Sequence, residues 1–381
     1  MRQNKISTGI GIVLSGGGSR AAYQVGSLGA LSAFTSLSRE EIHVISGTSI
    51  GAVNSLILGA GLRHPLAQSV ELLEELWMRR TYRNTFSGHI SKTFLRAVQV
   101  AMLRYRSPGP VATSLSIFDP TPLRNELDVA IKSLGGLTSA NLPDYVKSIA
   151  VMTTMEGVER KALLLAVCKQ APSLQAMEGA TFELLQLQEL TAAHGFASAA
   201  LPSVLPAVDL NLDTREVRLV DGGICDNIPV DPSIRLGAES IILLDSSGRR
   251  WWFDHYGEPH DTKPAWEIPA KDSSYCIMPM QMFESVNQSP FGPLLKQAVG
   301  RSSSDFIAAL GPTWPIFRIL KMKMGEELAY EVLSYAALHP DYIGALIELG
   351  FNETKAALEK FVENKSLFKL PFTVDINSLS A

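Results

Sequence analysis

Residues 42–51 have the sequence IHVISGTSIG, a short apolar run that leads directly into a G-x-S-x-G motif. The apolar run Ile42–Ile45 predicts a buried strand, and the proline-free segment Ala52–Leu62 that follows predicts a helix. Gly47 and Gly51 permit a strand-to-helix turn so sharp that the serine between them is exposed in strained backbone geometry. Ser49 is therefore a candidate nucleophile, and the N-terminus of the following helix favours negative charge beside it.

A glycine-rich loop, Gly16-Gly17-Gly18-Ser19-Arg20, lies between the apolar run Ile10–Leu14 and a second helical pattern. Three glycines leave backbone N–H groups uncovered, so that an anion can approach closely. One interpretation is an oxyanion hole for acyl transfer. The other is a dinucleotide site, because Gly16-x-Gly18-x-x-Ala21 also fits G-x-G-x-x-[GA]. The dinucleotide site needs a carboxylate at the end of the second strand, and Ser46–Ser49 contains none.

A third motif, Asp221-Gly222-Gly223, follows the predicted strand Glu216–Val220. Open α/β sheets place their sites at the carboxyl ends of strands, so this carboxylate is a candidate general base. Histidine is the alternative base, and the order Ser–Asp–His is available. The candidate histidines lie in a loop or in helical stretches with no motif around them: His194, His255, His260 and His339.

The alternation of short apolar strands with helical patterns predicts a three-layer α/β/α fold with a mostly parallel central sheet. We expect a catalytic domain over residues 8–247, with a basic helical insertion at residues 63–118. A boundary near Gly248 separates this domain from residues 248–381. That second part consists of an aromatic, turn-rich loop followed by a mostly helical C-terminal region.

The amino-acid composition excludes several classes of function for this protein. The net charge of −4 gives the molecule no electrostatic attraction to nucleic acid. Three widely spaced cysteines without a C-x-x-C pair predict free thiols in a reducing compartment, and so a cytoplasmic protein. No apolar stretch reaches the roughly 18 residues that span a bilayer. No metal-binding motif is present, and we expect no metal and no other cofactor.

Together these motifs resemble the patatin-like phospholipase family over roughly residues 8–247. The blocks that carry the resemblance are GGGSRAAYQVG at Gly16–Gly26, GTSIGA at Gly47–Ala52, TPLRNEL at Thr121–Leu127, ASAALPSVLPAV at Ala197–Val208 and DGGICDNIPV at Asp221–Val230. One departure is Ala21, where glycine is common in the family.

The resemblance implies a lipid acyl hydrolase that uses a Ser–Asp dyad without histidine. It makes Ser49 the nucleophile and Asp221 the base, and it assigns binding of the oxyanion to Gly16, Gly17, Gly18 and Arg20. It implies a lipid or phospholipid substrate, with phospholipase A or lysophospholipase chemistry. Two other functions stay open from the residues alone. They are a nucleotide-binding module on the Gly16–Ala21 loop and a catalytically silent scaffold at a membrane.

The segment Leu76–Phe118 is locally basic in an acidic protein. It contains no acidic residue and seven basic ones: Arg79, Arg80, Arg83, Lys92, Arg96, Arg104 and Arg106. Apolar and aromatic side chains are interleaved with these cations, a pattern that suits the surface of an anionic membrane. Residues 76–118 are thus a candidate peripheral membrane contact. The alternative is a solvated basic face, or basic groups paired with acids elsewhere in the fold.

Overall fold

The computed structural model describes residues 9–88, 93, 95–100, 102, 116–157, 160–212, 215–246, 277–279, 289–299, 303–363 and 372–379. The aromatic loop predicted after Gly248, with His255 and His260, lies outside the described residues. The same is true of Lys92, Arg104 and Arg106 in the basic segment.

Eleven short strands are present in the described part of the chain. They are β1 (Ile10–Leu14), β2 (Ile42–Thr48), β3 (Leu137–Thr138), β4 (Ser148–Met155), β5 (Lys161–Cys168), β6 (Phe182–Gln186), β7 (Glu189–Leu190), β8 (Val208–Leu212), β9 (Arg215–Asp221), β10 (Ser240–Leu244) and β11 (Ile277–Pro279).

The central sheet has the order β11-β10-β1-β2-β4-β5-β6, and β9 and β8 are attached through β4. The strands from β11 to β4 run parallel to one another, whereas β5 and β9 run antiparallel to β4. The predicted mostly parallel sheet is confirmed. Its topology brings the carboxyl ends of β1 and β2 to one edge, and the antiparallel pairing of β9 with β4 places Asp221 opposite Thr153.

The helices complete the layers. They are α1 (Ala22–Phe34), α2 (Ile50–Gly61), α3 (Leu66–Met78), α4 (Tyr82–Thr85), α5 (Thr121–Ser133), α6 (Leu174–Met177), α7 (Ala192–Ser198), α8 (Val230–Arg235), α9 (Phe291–Val299), α10 (Ser303–Leu310), α11 (Trp314–Met324), α12 (Glu326–Leu333), α13 (Pro340–Glu363) and α14 (Ile376–Leu379).

The sheet is buried on both faces, as its apolar strands predict. In β1, Ile10, Ile12 and Leu14 belong to a large core shared with α1 and α2. Val13 points to the opposite face, where α8 covers a smaller core. This arrangement is the predicted three-layer α/β/α fold with further helices toward the C-terminus.

The C-terminal helices pack onto the layer formed by α1. Buried residues of α9, α12 and α13, among them Phe291, Leu333 and Tyr342, join the same core cluster as α1 and α2. In the predicted insertion, Trp77 of α3 also lies in this core, where its indole N–H donates to Asn54 Oδ1 at 2.9 Å. The division of the chain at residue 248 stays a prediction.

No described helix combines the length and the apolar character needed to cross a membrane.

Candidate active site

The turn between β2 and α2 has the geometry expected of a nucleophile turn. Ser49 has φ 53° and ψ −129°, a conformation that L-residues with side chains rarely adopt. Both flanking glycines are sterically required. A Cβ at Gly47 would lie 2.4 Å from the carbonyl oxygen of Gly51, and a Cβ at Gly51 would lie 2.4 Å from those of Leu14 and Ser15. The tight contacts hold Ser49 at the end of β2.

Ser49 and Asp221 are in direct contact. The Ser49 hydroxyl donates to Asp221 Oδ2 at 2.8 Å, although 172 positions separate the two residues in the chain. Asp221 ends β9, and its other carboxylate oxygen accepts from the N–H of Gly223 at 2.7 Å. Gly222 is also sterically required, because a Cβ there would lie 2.1 Å from the carbonyl oxygen of Met152.

The surroundings of Asp221 make its carboxylate a better proton acceptor. The residue is 6% exposed. Burial raises its pKa from an ordinary value of 3.8 to about 6, while the hydrogen bonds from Ser49 and Gly223 act in the opposite direction. A carboxylate with a raised pKa binds a proton more readily, as general base chemistry near neutral pH requires.

Two amides of the glycine loop are left without an acceptor in the described part of the chain. The N–H of Gly16 donates to Asn227 O at 3.2 Å, and the N–H of Ser19 donates to Tyr335 O at 2.8 Å. Within the described ranges, the N–H groups of Gly17 and Gly18 donate no hydrogen bond. Gly18 has φ +56°, which favours glycine, and a Cβ at Gly16 would lie 3.0 Å from Ser49 Cβ. The loop therefore adjoins Ser49, with two amide donors available.

Arg20 lies in a different environment from the one that the family resemblance implies. Its guanidinium group is buried, and it donates to Glu331 Oε1 and to Ser334 Oγ, both at 2.7 Å. The same group lies 3.5 Å from the ring centroid of Tyr335 and 4.7 Å from that of Phe291. These contacts join the glycine loop to α9 and α12.

Two polar residues that sequence reasoning missed support the site. The Ser198 hydroxyl accepts from the N–H of Ser49 at 2.8 Å and donates to the carbonyl of Met152. Asn227 braces the glycine loop from the other side, because its Nδ2 donates to Gly16 O at 3.3 Å. Both residues lie inside the quoted blocks at Ala197–Val208 and Asp221–Val230. That position was the available signal, but it gave neither residue a role.

The two candidate histidines that the structure describes, His194 and His339, have other partners. His194 Nδ1 accepts from the N–H of Thr191 at 2.9 Å, which caps the start of α7. Burial lowers the pKa of His194 to about 4. His339 lies 3.8 Å from Asp341. Neither imidazole bonds to Ser49 or Asp221, and within the described ranges no group of three or more His, Cys, Asp or Glu side chains is arranged to hold a metal ion.

The fold and this site define a class of protein: a three-layer α/β protein with a serine on a strained strand-to-helix turn, hydrogen-bonded to a buried aspartate. A family model described as patatin-like phospholipase matches residues 12–234, more than half of the chain. The chain belongs to the patatin-like phospholipase family. Membership supports lipid hydrolase activity. A search of the curated proteins finds no match.

Solved structures with similar chains include VipD from Legionella pneumophila, which is 13% identical with a TM-score of 0.33. The alignment covers 93% of this chain and 67% of that one. Human GIVD cytosolic phospholipase A2 is 13% identical with a TM-score of 0.37, and 94% of this chain aligns with 64% of the human one. The same human enzyme in complex with methyl gamma-linolenyl fluorophosphonate is 14% identical, with a TM-score of 0.38.

Proposed function

We propose that this protein hydrolyses carboxylic esters of lipids through an acyl-enzyme on Ser49, with Asp221 as the base. The observation that carries the proposal is the 2.8 Å hydrogen bond from Ser49 Oγ to Asp221 Oδ2. A serine hydroxyl is a weak nucleophile until a base takes its proton, and Asp221 is the acceptor in contact with it. The family points to phospholipids or lysophospholipids as the substrate class.

The reaction proceeds in two balanced halves. As Ser49 Oγ attacks the ester carbonyl, its proton passes to Asp221 Oδ2, and the tetrahedral intermediate then expels the alcohol, which takes that proton. Water next attacks the acyl-enzyme and gives its own proton to Asp221. Ser49 leaves as the second tetrahedral intermediate collapses and recovers the proton from Asp221. One carboxyl group thus acts as base and then as acid in each half.

The amides of Gly17 and Gly18 are the proposed donors to the oxyanion. They follow Gly16, which adjoins Ser49, and they have no acceptor in the described part of the chain, so they are free to bind a developing negative charge. Gly16 contributes by its small size, since its own N–H is bonded to Asn227. Arg20 contributes by holding the loop in place through Glu331 rather than by contact with substrate.

A membrane contact through residues 76–118 is proposed as part of this function, in a narrower form than the sequence suggested. Arg80 is buried, and its Nη2 lies 2.7 Å from Glu126 Oε1, so this cation is internal. Arg79 and Arg83 are exposed and available to anionic headgroups. Arg79 also lies 3.7 Å from the same Glu126 oxygen, a distance that leaves it only weakly paired.

The test is covalent labelling with a fluorescent alkyl phosphonate, which reacts with activated serines. We expect wild-type protein to be labelled at Ser49, and Ser49→Ala to be unlabelled and unable to hydrolyse a lipid ester. Ser198→Ala replaces another buried serine of the site, and this variant should still be labelled at Ser49. Label on Ser49→Ala, or ester hydrolysis by that variant, would overturn the proposal. Binding of a nucleotide by dialysed wild-type protein, with no hydrolysis, would favour the nucleotide-binding alternative instead.

A further inference from the structure

Helix α11 exposes apolar side chains on the side that faces away from the core. Phe317 is buried, and Leu320 packs against the core. On the outer side, Ile316, Ile319 and Met322 recur at intervals of three residues. Ile319 is 50% exposed and Met322 is 79% exposed. Single exposed apolar residues are ordinary, but a row of them along one helix marks a contact surface.

Cations border this apolar row. Arg318, Lys321 and Lys323 all lie in α11, and no acidic residue occurs between Asp305 and Glu326. Lys321 is paired with Glu326. Arg318 and Lys323 are exposed, and neither has an acidic partner within the described ranges. Residues four apart are neighbours on a helix surface. Arg318 therefore adjoins Met322, and Lys323 adjoins Ile319.

We infer that this outer face of α11 binds the surface of an anionic phospholipid membrane. Helices that lie in a membrane interface combine apolar residues, which enter the acyl boundary, with cations, which meet the phosphates. The whole chain carries a net charge of −4, so the positive charge of α11 is a local feature. A basic partner is disfavoured by that local charge, and an anionic lipid surface complements both components of the face.

The start of α11 is linked by contacts to the site. Gly311, three residues before the helix, packs on the ring of Tyr82, and the Tyr82 hydroxyl donates to Ala336 O at 2.7 Å. The Tyr82 ring packs on Phe118 at 5.9 Å between centroids.

Phe118 in turn donates its N–H to Val204 O at 3.0 Å, in the loop that begins at Ala200. Ala200 O accepts the N–H of Asp221. A continuous series of contacts therefore joins α11 to the proposed base. The inference deepens the proposed function, because it adds α11 to the contact proposed at residues 76–118 as a surface that meets the lipid.

Vesicle co-sedimentation in the Ser49→Ala background tests binding without hydrolysis. The vesicles are phosphatidylcholine with or without phosphatidylserine. We expect the Ile319→Glu/Met322→Glu pair to weaken binding by at least ~100-fold, since two apolar anchors are lost and two repelled charges are gained. The Arg318→Gln/Lys323→Gln pair should weaken binding to phosphatidylserine vesicles by about tenfold or more and leave binding to neutral vesicles nearly unchanged.

The matched control is Val129→Glu/Leu174→Glu, which places two carboxylates at exposed apolar positions outside α11. It should bind vesicles as the parent does. With Ser49 restored, the α11 variants should hydrolyse a short soluble ester at the wild-type rate. Unchanged vesicle binding by Ile319→Glu/Met322→Glu would overturn the inference. If wild type is a dimer and that pair of substitutions makes it a monomer without changing vesicle binding, then the face binds a second copy of this chain. If wild-type protein does not hydrolyse the soluble ester, the proposed function is contradicted, but the inference about membrane binding is not.

Discussion

Arg20 donates a hydrogen bond to Glu331 at 2.7 Å, so the last residue of the glycine loop forms a part-buried ion pair with a helix in the C-terminal region. Ser19 adds a second link through its N–H, which donates to Tyr335 O at 2.8 Å. The glycine loop, which adjoins Ser49 at Gly16, is therefore held on one side by Asn227 and on the other by α12.

The first prediction is that Glu331→Gln lowers kcat more than it changes KM. The substitution removes the charge that pairs with Arg20, and a small shift of the loop would misplace the amides of Gly17 and Gly18. Misplacement by about 1 Å can cost up to ~100-fold in rate. Steady-state kinetics on a soluble ester would measure the effect. Glu326→Gln, on the same helix but in an exposed ion pair, is the control and should match wild type. Equal kcat for Glu331→Gln and wild type would mean that the ion pair does not position the loop.

The second prediction concerns the pH dependence of kcat/KM. The base is active only when ionised, and burial raises the pKa of Asp221 to about 6. Activity should therefore rise with pH, reach half its maximum near pH 6 and level off above that value. A profile already at its plateau near an ordinary aspartate pKa of about 4 would contradict this assignment.

The third prediction identifies the base by substitution. Asp221→Asn should lose at least ~1000-fold in kcat, because the Ser49 hydroxyl loses its proton acceptor. His194→Ala should stay within about tenfold of wild type, since that imidazole caps α7 and has no bond to the Ser49–Asp221 pair. His339→Ala should behave in the same way. A histidine variant as inactive as Asp221→Asn would establish a triad in place of the dyad.

The fourth prediction is that Asp221→Asn is at least as stable as wild type at pH 8. The folded-state pKa is raised from 3.8 to about 6, so the native state binds this proton more tightly than the unfolded chain does. Wild-type stability therefore falls as pH rises from about 4 to about 6, and the amide lacks this dependence. Thermal unfolding across that pH range should show that the Tm of Asp221→Asn minus the Tm of wild type increases as pH rises. A Tm difference independent of pH would contradict the raised pKa.

The fifth prediction concerns Gly17. A Cβ at this position would lie 2.4 Å from Ser246 Oγ and 2.9 Å from Ser246 O, so Gly17→Ala must displace the loop or Ser246. Loss of one oxyanion donor typically costs about 100- to 1000-fold in kcat, and we expect a loss in this range. Gly29→Ala in α1 is the matched control, because its Cβ meets ordinary contacts of 3.6 Å or more. Full activity of Gly17→Ala would give the glycine loop another function.

The local motifs could be predicted from the sequence because their geometry depends on neighbouring residues. Gly47 fixes the turn at Ser49 through a contact with Gly51, four positions along the chain. The apolar runs at Ile10–Leu14 and Ser240–Leu244 define strands by composition alone. The family resemblance, which the family model confirms, then paired Ser49 with Asp221.

Long-range polar contacts could not be predicted in this way. Nothing near Arg20 in the sequence indicates its ion pair with Glu331. In the sequence, Arg80 is one of seven similar cations, and only the structure shows its contact with Glu126. Serine and asparagine are common surface residue types. Only the folded chain brings Ser198 to Ser49 and Asn227 to the glycine loop. The cytoplasmic location expected from the cysteines stays a prediction.

The distance along the chain between Arg20 and Glu331 has a consequence for biosynthesis. The ribosome completes the glycine loop, Ser49 and Asp221 well before it makes α12, and 311 positions separate the two partners of the ion pair. A nascent chain that already holds both reactive side chains still lacks the contacts that fix the loop beside them. On the proposed mechanism, we therefore expect the site to become competent only after the late helices dock.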